Sequence, residues 1–260
     1  MARAFQSRDE ASDLVKAQDL MYEAWGARNA KQRIRLACRA LEITPLCADA
    51  YVLLAEEAAG SLEEMLEIFG LGVVAGGLAL GEETFEEDAG YFWGILETRP
   101  YMRARCGFAH ALWASGEREE AVGHFQDMLR LNPNDNQGVR YILAAWYLEL
   151  DRDDDLAALL EDYAEDGAAA WLYTRGLLAF RREGDSESSR VLLAEAFACN
   201  PHVSGYLLGK RKMPKAQPAF YAPGGEDEAV LYVADYAGGW ARTPGALDWL
   251  GAQHGRRAAA

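Results

Sequence analysis

The sequence predicts an all-α fold, a right-handed α-solenoid of about five helical hairpins that ends in a C-terminal helical cap. Two segments, which begin at Phe108 and Gly176, align without a gap at an offset of 68 residues. That offset is twice the period of about 34 residues that is typical of helix–turn–helix repeats. A single hairpin cannot bury its apolar face alone, so neighbouring hairpins must stack.

Each repeat has the pattern of two amphipathic helices joined by a short turn. Apolar residues recur at three- and four-residue spacing on both sides of that turn. Gly116 marks the turn of one repeat because glycine tolerates a positive φ. Asn132–Pro133 ends its second helix, since proline disfavours helical geometry in the preceding residue. We expect five such hairpins between residues 15 and 201.

An insertion at 81–100 interrupts this array. Its first half is acidic and should be exposed, whereas Tyr91, Phe92 and Trp93 should be buried, since three adjacent aromatic side chains are costly to leave in water. The segment before it, 68–81, is the most apolar in the chain. It is too short to span a bilayer as a helix, so we expect a buried core helix.

The composition changes after Pro201. Three prolines between 214 and 223 favour extended structure, and a helix with an acidic first turn follows from Glu226. Thr243–Pro244 has the pattern of an N-cap and first position of a last helix. We therefore expect two parts, a solenoid over 1–201 that includes the insertion, and a linker with capping helices over 202–260.

The charge and motif content exclude several classes of function. There are 26 Lys and Arg against 41 Asp and Glu, so the net charge of −15 disfavours binding to nucleic acid. The four cysteines form no CxxC pair and no HExxH is present, so we expect neither a metal nor a catalytic site. We predict a protein without enzymatic activity and without a cofactor. The N-terminal region has no apolar signal segment, so we expect a cytoplasmic protein that does not bind membranes.

Two resemblances refine this prediction. Ala109, Ala121, Phe125 and Pro133 stand where the tetratricopeptide repeat (TPR) has its small, aromatic and proline residues. The segment CADAYVLLAEEAAGSLEEM, at 47–65, is similar to the suppression-of-tumorigenicity family of TPR-like proteins. The TPR resemblance implies a concave groove lined by the first helix of each hairpin.

The positions that would face this groove carry arginine and aromatic side chains. The resemblance assigns them as a peptide-binding groove of Arg103, His110, Trp113, Gln137, Arg140, Tyr141, Trp171 and Arg175, with further contributions from Gln18, Tyr22, Trp25, Tyr51 and Arg181. Arginine, tryptophan and tyrosine dominate binding hot spots because they bury large areas and form directional bonds. We expect an interaction scaffold or adaptor that binds an extended, acidic segment of another protein.

Other interpretations stay open. Trp113 and Trp171 can pack between helices, and the arginines can pair with the acidic insertion of the same chain. The aromatic groove can instead take a small ligand or serve an enzyme-like role, or the chain can be a structural subunit of a larger complex. The Lys and Asn that some TPR proteins use to clamp chaperone tails are absent, so that partner is not implied. The sequence does not give an oligomeric state.

Overall fold

A computed structural model describes residues 8–259 of the chain. Within these residues the protein has fourteen α-helices, two short 3-10 turns and no β-strand. The all-α prediction is therefore confirmed. The chain divides into two compact units, residues 1–139 and 140–260. The predicted division into a solenoid and a cap at residue 201 stays a prediction.

The first unit contains three helix pairs and the insertion. Its helices are α1 (Arg8–Gly26), α2 (Ala30–Ile43), α3 (Ala48–Glu57), α4 (Leu62–Leu80), α5 (Glu82–Glu87), α6 (Arg99–Ser115) and α7 (Arg118–Leu131). Helices α1 to α4 pack each against the next, α3 and α4 also pack against α6, and α6 packs against α7. The helix pairs α1–α2, α3–α4 and α6–α7 lie where the sequence predicts hairpins.

Local signals in the sequence set the helix ends. Ser61 precedes α4, and its hydroxyl oxygen accepts a hydrogen bond from the backbone N–H of Glu64 at 3.1 Å. Gly116 ends α6 with a φ of 96°, in the left-handed region that glycine adopts without strain. Asn132, before Pro133, ends α7. The turn and the C-terminal end of the α6–α7 hairpin are thus where the sequence predicts them.

Helix α4 differs from the buried core helix that was expected. Its glycines Gly72 and Gly76 pack closely against α3 and α6. Its opposite face is exposed, with Leu71, Val74 and Leu78 at 55%, 60% and 66% relative exposure. The long apolar segment therefore forms a helix with one buried face and one exposed face. The amino-acid composition of the segment does not distinguish this arrangement from full burial.

The insertion is folded, and only part of the aromatic prediction is correct. Phe92 is fully buried, and its ring centroid lies 5.2 Å from that of Phe85 on α5. Trp93 is half-buried, but Tyr91 is 72% exposed, so its predicted burial is wrong. Adjacent side chains of the 3-10 turn at Phe92–Gly94 point in different directions, so they cannot all face the core.

The second unit contains two helices, then a packed helix pair, and then the C-terminal helices. Its elements are α8 (Val139–Glu149), α9 (Asp153–Asp162), the packed pair α10 (Ala169–Glu183) and α11 (Glu187–Cys199), and then α12 (Val203–Leu207), α13 (Glu226–Arg242) and α14 (Ala246–Ala259). Helix α10 packs against α9, α11, α13 and α14. Helix α13 starts at Glu226 as predicted. Helix α14 starts later than predicted, because Thr243 ends α13 by donating its hydroxyl to the carbonyl of Gly239 at 2.8 Å.

Candidate functional site

Arg103 and Asp49 form the central ion pair of the first unit. Asp49 lies on α3 and its side chain is 0% exposed, whereas that of Arg103, on α6, is 30% exposed. The guanidinium donates from Nε to Oδ1 at 2.7 Å and from Nη2 to Oδ2 at 2.6 Å. Gln18 of α1 donates from Nε2 to Oδ2 at 2.8 Å. Three helices, α1, α3 and α6, therefore meet at one buried carboxylate.

Two exposed aromatic side chains of α1 lie beside this pair. The guanidinium carbon of Arg103 is 5.2 Å from the ring centroid of Trp25, within cation–π range. The Tyr22 ring is 5.8 Å from that of Trp25, and the two residues are 57% and 43% exposed. Tyr22, Trp25 and Arg103 together form what we call the aromatic–arginine surface.

This surface has a defined chemistry. Asp49 neutralises Arg103 and fixes its orientation, because a two-bond guanidinium–carboxylate pair is geometrically specific. Within residues 8–259, Nη1 of Arg103 makes no hydrogen bond. The surface therefore offers two aromatic faces and one oriented N–H donor, which suits an acceptor oxygen next to an apolar side chain.

In the second unit, Arg140 and Tyr141 at the start of α8 converge on one carboxylate. Oδ2 of Asp166 accepts from Nε and Nη2 of Arg140 at 3.0 and 2.8 Å, and from the Tyr141 hydroxyl at 2.7 Å. Burial would raise the pKa of Asp166, but hydrogen bonds from the Ala168 N–H, Tyr141 and Arg140 lower it. Burial and the bond to Asp166 raise the pKa of Tyr141. The charge of Arg140 is therefore balanced within the chain.

Aromatic rings surround the same arginine. The guanidinium carbon of Arg140 lies 4.4, 5.1 and 5.8 Å from the ring centroids of Tyr141, Tyr163 and Trp171. Trp171 is 0% exposed, so it is a core residue of its unit. The open interpretation in which Trp171 packs between helices agrees with this burial. Three rings that could hold a cationic ligand instead hold a side chain of the same protein.

The other predicted groove residues lie in different surroundings. The ring of His110, on α6, is 5.4 Å from that of Phe125 on α7. Trp113 is half-buried, and the guanidinium carbon of Arg118 lies 4.9 Å from its ring centroid. Gln137 precedes α8, and within the described residues its Oε1 is buried without a hydrogen-bond partner. None of these three joins the aromatic–arginine surface.

Arg175 is a predicted groove residue whose charge is not balanced by an ion pair among the described residues. It lies on α10 and lines a cavity of about 230 Å³ with Glu161 of α9, Leu192 of α11 and Glu183 of its own helix. Within residues 8–259 it has no ion-pair partner. Over the same residues no three His, Cys, Asp or Glu side chains are arranged to hold a metal ion.

The structure thus brings together Arg140, Tyr141 and Trp171, and separately Arg103 with Gln18 and Trp25. A groove shared by all eight predicted residues stays a prediction. Sequence reasoning missed both acids, Asp49 and Asp166. Asp49 carried a usable signal, because it is the one acid in the first eight residues of α3, ADAYVLLA, where burial requires a partner.

The chain is similar to a family of known proteins. Residues 4–86 match the sequence profile of the family described as ST7 protein. The chain is 28% identical over 266 residues to the suppressor of tumorigenicity 7 protein-like of Danio rerio, covering 93% of this chain and 45% of the relative. It is 29% identical over 281 residues to the protein ST7 homolog of Caenorhabditis elegans, covering 89% and 49%. The human suppressor of tumorigenicity 7 protein-like is 27% identical over 262 residues, covering 92% and 45%.

The chain is thus similar to ST7 proteins over most of its own length, at 27–29% identity. The chain spans about half the length of the curated relatives it matches. The segment 47–65, in which the resemblance was noted, lies within the matched residues 4–86. No helix in the described part of the chain is both long and apolar enough to cross a membrane.

Proposed function

We propose that this chain is a non-catalytic interaction scaffold of the ST7 family, built as a right-handed solenoid of about five TPR-like hairpins. The repeat offset and the packing of consecutive helices, α1 to α4, α6 on α7 and α10 on α11, support the solenoid. Stacked hairpins present an extended surface without needing a deep pocket, which suits recognition of another protein. The family assignment is supported by the profile match and the homologues.

The aromatic–arginine surface carries this proposal. It combines tryptophan, tyrosine and arginine, the residue types that dominate binding hot spots. Tyr22 and Trp25 remain exposed, while Asp49, the partner of Arg103, is fully buried. The carboxylate holds Arg103 in place before a partner arrives, which lowers the entropy cost of binding.

The occupant that fits this surface is an extended protein segment. An acceptor oxygen of that segment, from a carboxylate or a backbone carbonyl, would take the free Nη1 of Arg103 while an apolar side chain covers Trp25. Arg103 and Arg140 already have carboxylate partners. An acidic segment is therefore supported by two features. One is the N–H donor at Nη1 of Arg103, and the other is the guanidinium of Arg175, which has no ion-pair partner among the described residues. The small-ligand alternative has no comparable observation in its favour.

Affinity capture from cells, followed by mass spectrometry, tests the proposal. The double variant Tyr22→Ser, Trp25→Ala should bind its specific partners at least tenfold more weakly than the wild type does. A tenfold change in affinity corresponds to about 1.4 kcal/mol of binding free energy. The matched control is Phe220→Ala, Tyr221→Ser, which alters two aromatic residues that are 87% and 51% exposed in the other unit. Circular dichroism establishes that both variants are folded. An unchanged partner set with the first variant would refute the assignment of this surface.

A further inference from the structure

A second surface lies on α4, away from the aromatic–arginine surface. Leu71, Val74 and Leu78 are spaced by three and four residues, so they form one stripe along the helix, here called the α4 stripe. All three are more than half exposed. The opposite side of α4 packs against α3 and α6, so the stripe is not needed for the core.

Acidic side chains stand at both ends of the α4 stripe. Glu67 precedes Leu71 by one helical turn and continues the same line, with Glu63 and Glu64 one turn further back. Helix α5 follows α4 after Gly81 and has four exposed glutamates at 82, 83, 86 and 87. Within residues 8–259, Glu67 and these four glutamates have no ion-pair partner. The surface is therefore apolar in the middle and negatively charged at each end.

This charge arrangement discriminates among possible occupants. A second copy of the chain would place acid against acid in either orientation, because both ends carry the same sign, and like charges are destabilising when juxtaposed. An anionic lipid surface would be repelled for the same reason. A basic amphipathic helix would cover the apolar stripe with its apolar face and pair its Lys or Arg side chains with the glutamates at both ends. This is the helix-in-groove mode of recognition.

We infer that α4 docks an amphipathic helix of a partner protein, with leucine-like side chains in its middle and Lys or Arg at both ends. Along α4, Glu67 is 13 residues, or about 20 Å, from the last residue, Leu80, and Glu82 follows after Gly81. The partner helix therefore needs basic residues about four turns apart, with apolar residues at three- and four-residue spacing between them. This site is separate from the proposed function and does not depend on it.

Fluorescence anisotropy with the whole chain tests this inference. The probe is a labelled helical peptide of leucine, alanine and lysine, with lysines about four turns apart and leucines at three- and four-residue spacing between them. The control peptide has glutamate in place of each lysine. The wild type should bind the lysine peptide at least tenfold more tightly than the glutamate peptide. The variant Leu71→Ser, Leu78→Ser should weaken binding at least tenfold, and Glu67→Lys, Glu86→Lys should weaken it in a salt-dependent way.

Matched controls separate the stripe from the general acidity of the chain. Leu96→Ser, at a side chain that is 62% exposed in the same unit, and Glu42→Lys, at an exposed acid on α2, should bind as the wild type does. The Tyr22→Ser, Trp25→Ala variant should also keep peptide binding, so failure of one site does not imply failure of the other. Unchanged peptide binding by the double serine variant overturns the inference. Dimer formation or binding to anionic vesicles that is lost in that variant also overturns it, because the occupant is then a second copy or lipid.

Discussion

Gly76 of α4 lies so close to Tyr101 of α6 that a Cβ added to the glycine would be 3.1 Å from the tyrosine Cα. The same Cβ would be 3.2 Å from the Cβ of Ala48 on α3. Since backbone and Cβ atoms cannot rotate away, a side chain at this position would require α3 or α6 to shift by a few tenths of an ångström. At the neighbouring Gly77, the nearest atom is 4.0 Å away.

The adjacent pair Gly76 and Gly77 yields a matched test of this contact. Gly77→Ala should leave stability unchanged or raise it by up to about 1 kcal/mol, because alanine favours the helix. Gly76→Ala should lower the free energy of unfolding by about 1–3 kcal/mol despite the same gain in propensity, because overpacking forces α3 and α6 apart. Urea unfolding of both variants measures the difference. Equal effects at the two positions would contradict the close approach.

The ion pair of Arg103 and Asp49 should be asymmetric in its response to mutation. Arg103→Ala leaves a fully buried carboxylate with only Gln18 as a side-chain donor. We expect the free energy of unfolding to fall by about 2–3 kcal/mol. This is less than for a fully buried pair, because Arg103 is partly exposed. Asp49→Asn should cost less, because water can reach the guanidinium. Denaturant unfolding measures both, with Lys16→Ala in the exposed pair with Asp13 as the control, expected to change stability by less than about 0.5 kcal/mol. A larger loss for Asp49→Asn would oppose this view.

His124 should make the stability of the protein depend on pH. Burial, followed by the nearby Arg105 charge, lowers its pKa from 6.5 to about 4, and Nδ1 accepts a hydrogen bond from Arg105 Nε at 3.0 Å. Below pH 6.5 the unfolded chain binds a proton that the folded chain does not, so stability is complete above pH 6.5 and falls as the pH drops toward 4. We expect a loss on the order of 2–3 kcal/mol across this window.

The comparison of wild type with His124→Gln isolates this contribution. Burial lowers the pKa of His110 as well, so part of the acid loss persists in the variant. Urea unfolding at pH 7, 5.5 and 4.5 should show a steeper decline for the wild type, and an NMR titration should place His124 well below 6. An unshifted titration of His124 would show that the imidazole is not desolvated.

Helix positions could be predicted from the sequence because they depend on local chemistry. Apolar spacing, Gly116 and Asn132–Pro133 act over a few residues, and the helices around them begin and end close to the predicted places. Thr243 shows the limit of this approach. The same hydroxyl can cap a following helix or close a preceding one, and here it closes α13.

The pairing of side chains could not be predicted, because it depends on distant segments. Arg103 and Asp49 are 54 residues apart, and Arg140 and Asp166 are 26 apart. The resemblance to TPR proteins drew attention to both arginines but supplied no carboxylate partner for either. In the structure both arginines form ion pairs with acids outside the acidic insertion at 81–100, which was the open alternative.

The way the insertion is anchored has a practical consequence. The backbone N–H of Gly90 donates to the carbonyl of Leu131 at 2.9 Å, and Phe85 and Phe92 are held together on either side of the exposed Tyr91. A chain nicked at Tyr91 would keep both new ends in place, because each is tethered by its own aromatic ring, and α4 would still lie against α6. Tyr91 is therefore a suitable position at which to split this protein into two fragments whose reassembly can serve as a reporter of their association.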